Sequence, residues 1–212
     1  MERRLFLKCL GCGTALSALP AADLLPGFLG GLQNASAFDF ADELSEVEAR
    51  YYRKLPEGGI ECAICPRRCR ITDLERGYCG TRENRGDIYY TLVYGLPCSV
   101  NIDPIEKKPL FHFYPGTTAF SLATAGCNVN CKFCQNWEIS QTRPEQTNNI
   151  KLPPQKIIDF CKEHKVPTIA YTYSEPIVFY EYMYDTAKLG RAESIKSVMI
   201  TGGYIEKEPL AD

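Results

Sequence analysis

The sequence predicts an α/β fold: a partial (βα) barrel, truncated after its third strand, behind an N-terminal cysteine-rich module. Three observations predict it. From Phe120 onward, short apolar runs alternate with stretches of helical periodicity, the rhythm of parallel strands joined by crossover helices. Upstream, Cys62, Cys65, Cys69 and Cys79 crowd into a loop-rich stretch with no helical or strand period. The chain then stops at Leu210-Ala211-Asp212, where a fourth strand–helix unit is due. An open half-barrel would expose an apolar edge strand, so the expectation is a fragment, or a chain completed by a partner.

In order, residues 1–37 read as an export segment, 38–116 as an N-terminal helix plus the cysteine-rich module, and 117–212 as the first half of the barrel. Residues 41–54 (ADELSEVEARYYRK) place Leu44, Val47 and Tyr51 on one helical face, and Pro56 ends the helix. Residues 87–94 (DIYYTLVY) read as a strand punctuated by Gly95 and Pro97, and 103–116 as irregular. FSLATAG (120–126) is a buried strand running into Cys127. PQKIIDFCKEH (154–164) is a helix with Ile157, Ile158 and Cys161 inward. TIAYTY (168–173) is the second strand, 177–189 a Tyr-rich helix stopped by Gly190, and KSVMIT (196–201) the third strand.

Composition bounds the function. The 212 residues are 45% hydrophobic and 24% charged with a formal net charge of -2, which excludes neither catalysis nor binding but calls for no nucleic acid partner. The outlier is cysteine, at 11 residues, seven of them in two tight groups whose spacing favours metal or cluster ligation over scattered disulfides.

The second group is Cys127-x3-Cys131-x2-Cys134 in AGCNVNCKFCQNWEIS. Three soft thiolates on one loop can each bind one iron of a 4Fe-4S cubane, leaving the fourth iron open to a substrate or cofactor. A ferredoxin fills all four positions. The position directly after a strand is where a barrel places its active-site loops.

C-x3-C-x2-C with an aromatic (here Phe133) before the last cysteine resembles the radical S-adenosylmethionine (SAM) superfamily. CNVNCKFCQNWEIS, DPIEKKPLFHFYPG, AYTYSEP and ECAICPRRCR together resemble the radical SAM enzyme of the AmmeMemoRadiSam system, related to the pyruvate formate-lyase activating enzyme family. The resemblance implies that SAM chelates the unique iron and is cleaved reductively to a 5'-deoxyadenosyl radical, which abstracts hydrogen from a substrate, by analogy a protein glycine. It implies Phe133, Asn136, Ser174, Glu175 and Thr201 as cofactor contacts, with Glu175-Pro176 standing where relatives receive the SAM amino group. Relatives tend to show Thr-Asn-Gly-Tyr where this chain has Thr201-Gly202-Gly203-Tyr204. Implied partners are an electron donor such as flavodoxin or ferredoxin, and Memo-like and AMMECR-like proteins. The alternative is a non-catalytic iron-sulfur electron-transfer protein.

For Cys62, Cys65, Cys69 and Cys79 three readings stand open: a closed zinc site, an auxiliary 4Fe-4S cluster, or two disulfides if the protein is exported. Arg3-Arg4 followed by Leu5-Phe6-Leu7-Lys8 resembles a twin-arginine signal, with Ala35-Ser36-Ala37 as its cleavage site. The expectation is a periplasmic or extracytoplasmic location without a transmembrane helix; a cytoplasmic location is the alternative. Cys9 and Cys12 are read as non-ligands.

Overall fold

The structure, a computed structural model, describes residues 39–212. The twin-arginine segment, its cleavage site, Cys9 and Cys12 lie outside the described residues.

The main sheet has the strand order β10-β9-β8-β7. Its parallel part is β8 (Thr118–Ala123), β9 (Thr168–Tyr171) and β10 (Lys196–Met199), the three strands the sequence predicts. Helix α2 (Pro154–Glu163) connects β8 to β9, and α3 (Tyr180–Ala192) connects β9 to β10. Both helices cover one face. Phe120 and Leu122 of β8, Ile169 and Tyr171 of β9, Ile157 and Ile158 of α2 and Tyr182 of α3 form one buried cluster. Each large side chain so buried contributes about 1.5–3 kcal/mol. Alternate residues turn to the other face, where Ala119 and Ala170 pack with Ile105. Leu110 and Phe113 pack against these small positions.

The fourth strand, β7 (Ser99–Pro104), runs antiparallel to β8, pairing Ser99 with Ala123 and Pro104 with Thr118. Residues 103 and 104, read as irregular, therefore finish a strand before the chain turns. Helix α3 passes through Gly190 to Ala192, and Ser194 (φ +62°) takes the left-handed position expected of the glycine. The Ile195 N–H closes the end on the Gly190 carbonyl at 2.8 Å.

Upstream, two three-stranded antiparallel sheets hold the cysteine segment. One is β2 (Tyr52–Lys54), β3 (Ile60–Cys62) and β4 (Arg70–Ile71); the other is β1 (Val47–Glu48), β6 (Ile88–Thr91) and β5 (Arg82–Arg85). The expected helix over 41–54 does not form. Val47 and Glu48 pair with Thr91 and Tyr90, and Tyr52 to Lys54 pair with Cys62 to Ile60. Tyr51 between them sits at φ +57°, which no right-handed helix tolerates. The Leu44–Val47–Tyr51 stripe does not share one face: Val47 is exposed, whereas Tyr51 packs on Tyr180. Strand pairing with β6 and β3 decides the backbone instead.

A buried ion pair ties this segment to the main sheet's helix. Arg82 Nη1 and Nη2 donate to Glu181 Oε1 and Oε2 at 2.9 and 2.6 Å, both side chains being fully enclosed. The Arg50 main-chain N–H donates to the same carboxylate at 2.7 Å.

Among the described residues, no helix is long and apolar enough to cross a membrane.

Candidate metal and cofactor site

Strand β8 is buried almost throughout and delivers Thr124, Ala125 and Gly126 to its C-terminal end. The loop that follows carries Cys127, Cys131 and Cys134, all partly exposed free thiols. Gly126 (φ +85°) makes the turn, its N–H donating to the Ile139 carbonyl at 2.8 Å. The Cys127 sulfur accepts the Val129 N–H at 3.4 Å. Burial pushes this thiol's pKa up, while the backbone N–H groups of Val129 and Glu175 pull it back by favouring the thiolate. Cys134 Sγ lies 3.1 Å from Ser140 Oγ, at the end of the short helix α1 (Trp137–Ser140).

The ends of β9 and β10 meet this loop. Asn136 Nδ2 donates to the Tyr173 carbonyl at 3.1 Å, joining the cysteine loop to the end of β9. Ser174 Oγ donates to the Thr124 carbonyl at 2.9 Å, joining β9 to β8. Glu175 is buried, and its carboxylate accepts the Thr201 hydroxyl and, at 2.8 Å, the Gly202 N–H. Cys127, Ser174, Glu175, Thr201 and Asn136 are thus brought together. Gly202 acts through its main chain, so that contact needs no asparagine side chain. Phe133 is not brought in: it stands 90% exposed, and Trp137 is exposed as well.

Tyr173 links a further group. At φ +66° it holds a left-handed backbone, and its hydroxyl donates to Asp103 Oδ2 at 2.5 Å. Asp103 also accepts Lys107 Nζ at 2.8 Å and Lys108 Nζ at 2.5 Å. Lys108 is buried on this carboxylate rather than free in solvent. Burial pushes the Asp103 carboxyl up, but the two ammonium groups and the Tyr173 hydroxyl outweigh it and hold it well below the usual carboxylate range.

Cys62, Cys65, Cys69 and Cys79 line one cavity in the upstream segment. All four are free thiols. Burial pushes Cys62 up to about 11, opposed by the nearby Arg82 charge. Burial also raises Cys65, opposed by the Arg67 N–H and the Asn128 amide. This cavity and the cysteine loop share walls. Asn128, between Cys127 and Cys131, lines the cavity, and its own carbonyl accepts Arg67 Nε at 2.6 Å. Arg67 stacks on Tyr78 at 3.4 Å. A separate cleft of about 250 Å³ is lined by Cys79, Gly80, Cys127, Val129, Asn130 and Arg143 among others.

Among the described residues, no three His, Cys, Asp or Glu side chains gather round one point as ligands of a single ion. A cubane does not require that, because each thiolate binds its own iron at a separate corner. Three partly exposed thiols on one loop, with N–H groups aimed at Cys127, are a donor set that fits such a cluster.

Sequence reading missed Arg67, Arg82, Tyr89, Asn128 and Tyr173. A basic residue three positions past Cys79 was a signal for Arg82, since a cation beside thiolates lowers their cost. The others arise from tertiary contact and left no pattern.

Residues 121–212 match the model of the Radical SAM superfamily. The match supports a radical SAM protein and suggests an enzyme; members of that superfamily generally use a 4Fe-4S cluster and SAM. The chain is 51% identical over 163 residues to Uncharacterized protein MJ0808 of Methanocaldococcus jannaschii, covering 77% of this chain and 49% of that protein. It is 33% identical over 87 residues to Uncharacterized protein MJ0674 of the same organism, covering 41% of this chain and 21% of that protein. The chain thus spans about half the length of the first of these relatives and about a fifth of the second. No solved structure matches.

Proposed function

We propose that this protein is a radical SAM enzyme in which Cys127, Cys131 and Cys134 hold a 4Fe-4S cluster beside a SAM site built on Glu175 and Thr201. The observation that carries the reading is the convergence of three strand ends: Cys127 after β8, Glu175 after β9 and Thr201 after β10, with Ser174 bonded to the Thr124 carbonyl and Thr201 to the Glu175 carboxylate. When bound, the cluster and SAM supply a reductive cleavage that yields methionine and a 5'-deoxyadenosyl radical able to abstract hydrogen.

The chain's own residues bind and orient. Glu175 is a buried carboxylate fixed at both oxygens, a suitable acceptor for the ammonium group of SAM. Asn136 and Ser174 lock the cysteine loop and the Glu175 turn to the sheet, so the two halves of the site keep one geometry. The finer reading is an activating-enzyme-like reaction on a protein glycine. The exposed Phe133 and Trp137, four positions apart beside the cysteines, support a protein partner, since exposed aromatics favour docking. Memo-like and AMMECR-like proteins, a flavodoxin- or ferredoxin-type donor, and twin-arginine export belong to the same reading.

The test is an anaerobically reconstituted, reduced protein incubated with SAM, with 5'-deoxyadenosine and methionine measured by mass spectrometry. The reading expects both products, and none from Cys131→Ala. An intact cluster that is reduced reversibly without cleaving SAM would instead identify an electron carrier.

A further inference from the structure

Four thiols and three unsatisfied polar atoms close on one cavity. Cys62, Cys65, Cys69 and Cys79 share its wall with Arg82, Tyr89 and Asn128. Arg82 Nε, Tyr89 Oη and Asn128 Oδ1 are each buried without a hydrogen-bond partner. Arg82 and Tyr89 are 0% exposed and Asn128 is 2% exposed. Leaving one such group unmatched costs about 1–3 kcal/mol. The two donors among them, Arg82 Nε and Tyr89 Oη, point to a ligand set that supplies acceptors.

The two donors identify its chemistry. Arg82 lines the cavity and spends its terminal nitrogens on Glu181, which fixes the guanidinium plane and leaves Nε–H without a partner. Tyr89 shares the cavity wall with Cys62 and Cys79. A neutral thiol is a weak acceptor, whereas a metal-bound thiolate is a good one. Metal binding therefore satisfies both donors and converts the four sulfurs into ligands in one event.

We propose that Cys62, Cys65, Cys69 and Cys79 hold an iron-sulfur cluster, each thiolate on its own iron, whose sulfurs accept hydrogen bonds from Arg82 Nε and Tyr89 Oη. Asn128 carries the wall of this centre across to the loop of Cys127 and Cys131. The proposal does not rest on the radical SAM reading, because it concerns a separate set of ligands.

The test uses the full chain with Cys127, Cys131 and Cys134 all replaced by Ala, purified anaerobically from metal-replete medium. Elemental analysis is expected to find about four iron atoms per chain with the visible absorption of an iron-sulfur cluster, and zinc without iron overturns the proposal. Adding Cys69→Ser should lower that content at least about tenfold. Tyr89→Phe, which keeps the ring and removes the hydroxyl, should keep the metal but lose about 10–100-fold in affinity against a competing chelator. A folded triple variant that holds no metal overturns the proposal, and so does a Tyr89→Phe chain as tight as its parent. If the triple variant does not fold, Cys69→Ser in the otherwise unchanged protein gives the same answer: unaltered total metal content overturns the proposal.

Discussion

Gly126 rests directly on the main chain of Cys79: a Cβ added to it would stand 2.4 Å from the Cys79 carbonyl oxygen and 2.4 Å from Thr81 Cγ2. The residue before the cysteine loop and the last cysteine of the upstream segment therefore touch backbone to side-chain position. The upstream segment sets where Cys127 begins.

Gly126→Ala should act on both. The left-handed φ of +85° and the clash with a carbonyl each oppose a methyl group. The expected loss is about 2–4 kcal/mol of stability, together with lower iron incorporation after reconstitution. Urea unfolding and iron content per chain check it.

The Arg82–Glu181 pair predicts a larger effect. Glu181→Ala would strand a guanidinium that is completely buried and remove the acceptor of the Arg50 N–H. Breaking a buried pair at one end costs about 3–5 kcal/mol. The urea midpoint of the variant measures it, and a change below about 1 kcal/mol would be that of an exposed pair.

Asp103 predicts a pH dependence. Its native carboxyl is held below the usual range, so the unfolded chain binds that proton more tightly. The stabilisation is present above the unfolded value of about 3.9 and is lost as pH falls through the native value. Urea unfolding between about pH 5 and pH 2 should show stability declining as pH falls, with a shallower decline in Asp103→Asn.

Thr201→Val replaces one hydrogen bond to Glu175 with a methyl group of similar size. A hydrogen bond to a charged group contributes about 1.5–3 kcal/mol, so the expectation is a roughly 10–100-fold loss in SAM affinity. Iron content and cluster absorption should stay unchanged. Equilibrium dialysis with SAM checks the first and absorbance the second.

The β8-α2-β9-α3-β10 succession was legible because its apolar periods are strong and its helices cover one face, as Ile157, Ile158 and Tyr182 show. β7 was not: SVNIDP alternates weakly, follows Pro97 and ends on Pro104, and becomes a strand by pairing with β8. The helix over 41–54 failed for the opposite reason. Its spacing was helical, but pairing with β3 and β6 outweighs propensity there. In the site, the cysteines could be named from their spacing and Glu175 from the family resemblance. The Gly202 N–H that meets the Glu175 carboxylate and the Tyr204 carbonyl that accepts the Asn128 amide lie far away in sequence and are specified only by the fold.

The most direct test of the central claim is electron paramagnetic resonance of the reduced, reconstituted protein with and without SAM. Ligation of one open iron by SAM predicts a 4Fe-4S signal that depends on Cys127, Cys131 and Cys134 and changes its g values when SAM is added. A signal of full intensity that SAM leaves unchanged, or one that survives replacement of all three cysteines, would contradict it.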